Sequence, residues 1–173
     1  MNTVTHALAP VLIAHFFKNK KVKMNWRSYV AIGIAGALPD ILNPHLTLES
    51  RLASWSHGIP FWVIFSVLTF VLTYFWKRRV SYVLAGYMSW AYLFHIVCDA
   101  ISGGINLWHP FFDFVWGGYW VDPIFWIPLD ALTVISCYIL FRVMPAAANK
   151  KVNQESDWSK ATFFRVEQLL LVS

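Results

Sequence analysis

The chain has 173 residues, of which 58% are hydrophobic, 18% aromatic and only 13% charged, with a formal net charge of +5 and a mean hydropathy of +0.51. This balance excludes an ordinary soluble domain and points to an integral membrane protein. The positive charge would also suit nucleic acid, but its cations lie beside apolar segments in the pattern of a membrane protein, so no nucleic-acid binding is predicted.

In chain order, Val4 to Phe17 reads as a short apolar helix, a half-span or interfacial element. Its basic cluster follows the apolar run, the reverse of a signal peptide, so it is expected to stay in the mature protein. Ser28 to Ile41 is a second apolar helix in which Gly33 and Gly36 offer a smooth face for close packing. Residues 59–76 carry no charge and are long enough for most of a bilayer core of about 30 Å. Further spans are predicted from about Val80 to Ile101 and from about Asp122 to Phe141. Between them, Gly103 to Tyr119 is a longer aromatic connection expected to lie on the membrane as a lid or wall, with Gly103 capping the preceding helix.

The expected fold is therefore all-α, a polytopic membrane bundle of about four spans plus a short N-terminal helix. Residues 1–145 form the embedded domain, and 146–173 a polar linker with a short amphipathic cytoplasmic tail. Cys98 and Cys137 fall in predicted helices without CxxC spacing, and no disulfide is expected.

Lys18, Lys20, Lys21, Lys23 and Arg27 fill the first connection, Lys77 to Arg79 a later turn, and Arg142, Lys150, Lys151, Lys160 and Arg165 follow the last span. The positive-inside tendency makes these segments cytoplasmic and leaves Arg51 as the one outer cation among 14 Lys and Arg residues. The same orientation gathers Asp40, His45, Glu49, His57, His95, Asp99, His109, Asp113 and Asp122 toward the outer face, with Asp130 deeper. His6 joins them if its helix starts outside, whereas His15 falls on the other side.

His95 and Asp99 are four residues apart on one helical face, close enough to hold one metal ion or to pair with each other. His6, Asp40, His57, His95, Asp99 and His109 supply donors for one divalent metal or two, zinc before manganese or iron. Such a metal lowers the pKa of bound water to about 7 and so supports ester or phosphoester hydrolysis. Each residue has a plainer reading. Asp40 can end a helix, His57 can sit in a turn before Gly58 and Pro60, and His109 can be an interfacial loop residue. Asp122 before Pro123 has the form of an N-cap, the alternative being a ligand or a support for one. Asp130, inside the span, is expected to orient a metal-bound histidine or pair with another polar group. Arg51 is either solvated or holds a phosphate or carboxylate. His45 is a proton shuttle or has no role.

The ordered motifs Thr5-His6, Leu38-Pro39-Asp40, Ser56-His57-Gly58, and Tyr92 through His95, Asp99, Gly103-Gly104 and Pro110, ending at Val121-Asp122-Pro123, resemble the YdjM-like family. That family comprises LexA-regulated bacterial inner-membrane proteins described as predicted metal-dependent hydrolases, and its motif arrangement is similar to the zinc-dependent phospholipase C and nuclease group. The resemblance covers about residues 1–130 and implies His6, Asp40, His57, His95 and Asp99 as ligands, with His109 as a further one. Leu42 and Asn43 stand where the family tends to have a second acid, and Leu52 where it often has another histidine; both departures weaken the case for a second ion.

The function expected is a membrane-bound metal-dependent hydrolase of a phosphoester or a small-molecule or lipid-linked substrate, with its site near the extracytoplasmic face. A metal or proton carrier, or a non-catalytic membrane protein with a structural metal, would use the same groups. A carrier should continue its ionisable residues to the opposite face, and these spans offer few there.

Overall fold

Four helices that reverse direction in turn bring their polar ends to one place. In the computed structural model, which describes residues 3–19, 22, 24–44, 47–76, 81–118, 120 and 122–147, these are α1 (Thr3–Phe17), α2 (Trp26–Leu42), α4 (Ile59–Phe75) and α5 (Tyr82–Ile101). A five-residue helix, α3 (Leu48–Leu52), and a 3-10 turn at Trp55–His57 connect α2 to α4. After α5 come two short strands, β1 (Ile105–Asn106) and β2 (Val115–Trp116), then α6 (Trp126–Tyr138) and a π turn at Ile139–Val143. The chain divides into two compact units, Met1–Val134 and Ile135–Ser173. His45, the basic turn 77–79 and all but the first two residues of the expected 146–173 tail lie outside the described residues.

The helix limits follow local chemistry. Asn25 starts α2 by accepting a hydrogen bond from Ser28 N at 2.9 Å, and Ser81 starts α5 by accepting from Leu84 N at 3.2 Å. The end of α5 is closed by Ser102 N–H on Cys98 O at 3.0 Å and Gly104 N–H on Asp99 O at 3.2 Å, with Gly103 and Gly104 both at positive φ. The last expected span starts later than its apolar run: Asp122 leads into a 3-10 turn at Pro123–Phe125, and the α-helix begins only at Trp126.

α2 packs against both α1 and α5, and α4 packs against α5. Small residues allow this. Ala14, Ala35, Ala85, Ala91 and Ala100 are buried, and a Cβ on Gly36 would stand 2.3 Å from the His6 carbonyl oxygen. The α1–α2 crossing is thus fixed at the level of His6, and Gly33, one turn earlier, has ordinary clearance of 3.4 Å from Ala7 O. An apolar cluster of Tyr92, Ile96, Ala100 and Ile105 lies beside the polar end, packed with Leu38, Phe61 and Trp62.

The outward faces are also apolar. Val63, Ile64, Val67, Leu68, Val71 and Phe75 on α4 are exposed, as are Ile127, Leu132 and Ile135 on α6. Exposed apolar area on this scale suits a lipid surrounding better than water. Two helical stretches, Tyr82–Ile101 and Trp126–Ala147, are long and apolar enough to cross a membrane; Thr3–Phe17 and Ile59–Phe75 are apolar but shorter.

The aromatic connection is a ribbon held to α4 and α5. Ile105 pairs with Trp116 and Asn106 with Val115, while Asn106 donates to Asp113 Oδ1 at 3.0 Å and accepts from Phe114 N at 3.1 Å. Ile59 N donates to Leu107 O at 2.8 Å at the start of α4, and Gly118 N donates to Ala100 O at 2.9 Å at the end of α5. Gly117, at φ +93°, passes so close to Ala100 that a Cβ would stand 2.1 Å from its carbonyl oxygen.

Gly36→Ala must push α1 and α2 apart, an overpacking cost of about 1–3 kcal/mol or more because the obstructing atom is backbone. Gly86→Ala, with nothing within 4 Å of its Cβ, should be neutral or stabilising by up to about 1 kcal/mol. Thermal unfolding in detergent should show the first far below wild type and the second at or above it.

Candidate metal centre

Each helix end contributes to one buried polar group. Asp40 stands near the end of α2, His57 closes the 3-10 turn before α4, and His95 and Asp99 occupy the last turns of α5. His57 and His95 are fully buried, Asp99 is 2% exposed, and Asp40 is the one through which solvent reaches the group, its side chain being 14% exposed. One donor atom from each of these four lies within 4.8 Å of every other.

The separations are informative. Asp40 Oδ1 lies 3.2 Å from His57 Nε2 and 3.5 Å from His95 Nε2. Asp99 Oδ2 lies 3.4 Å and 3.2 Å from the same two nitrogens, which are 3.3 Å from each other. A tetrahedron with metal–ligand arms of about 2.05 Å has edges of about 3.3 Å. Five of the six edges of such a figure are therefore present.

Hydrogen bonding behind the rings fixes which atoms face inward. His95 Nδ1 lies 2.7 Å from Gly36 O, and a carbonyl only accepts, so Nδ1 carries the proton and Nε2 of the neutral ring presents a lone pair. On His57 the same result comes from a hydroxyl relay. Ser56 Oγ–H donates to Pro39 O at 2.8 Å; Ser54 then donates to Ser56 Oγ at 3.0 Å and accepts from Asn43 Nδ2 at 2.9 Å and His57 Nδ1 at 2.7 Å. In this order His57 Nδ1–H faces the two hydroxyls, with Ser56 Oγ also 3.2 Å away, and Nε2 is again turned inward.

Two carboxylate oxygens and two ring nitrogens thus point at one another in a buried space. Among the described residues, Asp99 Oδ2 accepts no hydrogen bond. Leaving such groups uncompensated costs several kcal/mol each. A proton on either imidazole would satisfy one contact, because an N–H points in one direction, whereas a divalent cation satisfies all four donors from a single position. The donor set, nitrogen and oxygen without sulfur, suits zinc and also manganese or iron.

The remaining candidates sort by place. His6, on α1, stacks against His95 with ring centroids 4.0 Å apart, and its Nε2 lies 3.3 Å from Asp99 Oδ1, on the carboxylate's other oxygen. Among the described residues, the buried His6 Nδ1 has no hydrogen-bond partner. Arg51 is buried, with Nη1 3.2 Å from Asp99 Oδ1, so of the two sequence readings it follows the one in which it holds a carboxylate. Asp130 accepts a hydrogen bond from Thr5 and so ties α6 to the residue beside His6 rather than to a histidine ring. Asp122 caps the 3-10 turn by accepting from Ile124 N at 2.9 Å. His109 is partly buried in the ribbon and is not among the four grouped residues.

Sequence reasoning missed Thr3, whose hydroxyl donates to Asp40 Oδ2 at 2.6 Å, and the hydroxyl pair Ser54 and Ser56. The two serines had a visible signal, polar residues three and one positions before a histidine at the head of an apolar helix. Thr3 had none. Tyr92, whose hydroxyl donates to Ser56 O, braces the same turn from α5.

A zinc addition that leaves free ion at 100 times its Kd should stabilise the detergent-purified protein by about 2.7 kcal/mol relative to chelator-treated protein. His95→Ala should abolish that thermal shift. Thr3→Val, which keeps the ligands and removes only the support of Asp40, should weaken metal binding about 10- to 100-fold.

Neither the comparison with curated proteins nor that with solved structures finds a match. The family model described as "YdjM inner membrane protein" matches residues 1–163, a range that includes all six α-helices among the described residues and every residue of the buried group. The chain belongs to the YdjM inner membrane protein family.

Proposed function

We propose that this protein is a multi-pass inner-membrane metallohydrolase that uses Asp40, His57, His95 and Asp99 to hold one divalent metal ion and cleaves a phosphoester or lipid-linked substrate. The observation that carries the reading is the convergence of four donor atoms, three of them on buried residues, at separations close to the edges of a tetrahedral metal site. A divalent ion there supplies Lewis acidity and activates water at neutral pH. The chain's own residues do the rest. Gly36 O and Ser54 hold the two imidazoles in the tautomer that binds, Thr3 holds the outer oxygen of Asp40, and the apolar cluster beside them limits water to the Asp40 side.

The membrane arrangement rests on chain direction and charge. α1, α2, α4 and α5 alternate in direction, so the connection holding Lys18 and Arg27 is at the end opposite the buried group. The positive-inside tendency puts that end in the cytoplasm and the metal group near the extracytoplasmic face. Among the described residues, the buried charged and imidazole side chains are His6, Arg51, His57, His95 and Asp99, all at one end. A carrier would need more in the other half.

One observation favours a second reading. Four protein donors already complete a tetrahedron, and three of the four are at least 97% buried, which suits a structural metal as well as a reactive one. The readings part in an assay of metal-loaded protein against phosphodiester and phospholipid panels. Turnover that falls at least 100-fold in Asp99→Ala supports the hydrolase; stoichiometric metal without turnover on any substrate leaves the structural reading.

Topology is tested separately in a background without native cysteines. Position 57 is too buried to label, so the exposed Ala53 and Asn19 are the useful sites. Ala53→Cys should react with an impermeant maleimide on intact cells and Asn19→Cys only after permeabilisation; the reverse pattern would overturn the orientation.

A further inference from the structure

The two oxygens of Asp99 serve two separate sides. Oδ2 faces His57 and His95, whereas Oδ1 faces His6 Nε2 at 3.3 Å and Arg51 Nη1 at 3.2 Å. A carboxylate shared in this way is what a two-metal centre uses as its bridge, one oxygen to each ion. Here a guanidinium stands beside the second oxygen. It is held there by Ser102, whose carbonyl accepts from Nη2 at 3.2 Å and whose hydroxyl lies 3.4 Å from Nη1. Its own helix reaches this position because α3 ends at Leu52 and Ser54 N bonds back to Arg51 O at 3.0 Å, which turns the chain toward His57.

We propose that Arg51 is the fixed second cation of this centre, so that the site takes one divalent ion and not two. The inference rests on the metal-binding reading above and adds to it a count and a charge. Arginine stays protonated in proteins, so this positive charge is permanent. The two carboxylates and the guanidinium sum to −1, and one divalent ion brings the group to +1, a charge that favours an anionic ligand such as a phosphoryl group. A second divalent ion would raise the group to +3 in a buried space and would have to displace the guanidinium from Oδ1. Without Arg51, Asp99 Oδ1 and His6 Nε2 are left as a ready pair of donors for a second ion.

The test is the number of zinc ions per chain, read by native mass spectrometry and elemental analysis on detergent-purified protein. Wild type and Arg51→Lys should hold one ion, Arg51→Ala should rise to two, and the double variant His6→Ala/Arg51→Ala should return to one. Two ions in wild type, or one in a folded Arg51→Ala, overturns the proposal. If Arg51→Ala does not fold, Arg51→Gln, which keeps the stem without the charge, is read in its place with the same expectation. Zinc-free wild type after zinc loading would instead remove the metal-binding reading itself, so the two failures are distinguishable.

Discussion

The structure is organised around one convergence of polar atoms. Two carboxylate oxygens and two imidazole nitrogens stand within about 3.5 Å of their neighbours in a largely buried space. Such an arrangement persists only if the surrounding packing holds it and a cation rewards it. Each close approach in the bundle serves that end. Gly36 brings α1 against α2 and lends its carbonyl to His95, and Tyr92 braces the turn that carries His57. The last turn of α5 is closed by glycines, so that Asp99 sits in regular helix to its end.

In water the apolar sides of these helices would be a liability, and in a bilayer they are the appropriate surface. The hydrophobic effect then does little to press helix on helix, so small residues and polar contacts take over. That explains why the interior combines alanines with Trp62 on Ser89 O at 3.0 Å and Ser66 beside Ser89 at 2.6 Å. It also explains the threonines Thr69, Thr73 and Thr133, which return their hydroxyls to carbonyls one turn back rather than leave them bare.

Much of this was legible in the sequence for physical reasons that can be named. Apolar length and charge spacing located α1, α2, α4 and α5, because a helix in lipid must satisfy its own backbone. His95 and Asp99 announced themselves by four-residue spacing, and the ordered motifs linked them to Asp40 and His57. What stayed hidden depends on contacts across the chain. Arg51 lies 48 residues from Asp99, and nothing in its neighbourhood says that it turns inward. The strand pairing inside the aromatic connection leaves no trace in the sequence, because its strands are only two residues each, too short for any alternation to show. Of the two roles open to Asp130, orienting a histidine or pairing with another polar group, it takes the second, with Thr5, a choice of one residue that periodicity cannot make.

Asp99 divides its two oxygens between the histidines and Arg51. A residue with two obligations has little freedom of its own, and it passes that restriction on. Loss of the charge at position 51 should therefore call for an answering change at 99 or 6, although 51 lies in a five-residue helix outside the four-helix bundle. Over a lineage, these positions should behave as a single inherited unit, so that a homologue lacking Arg51 would be expected to have rebuilt the far side of its carboxylate as well.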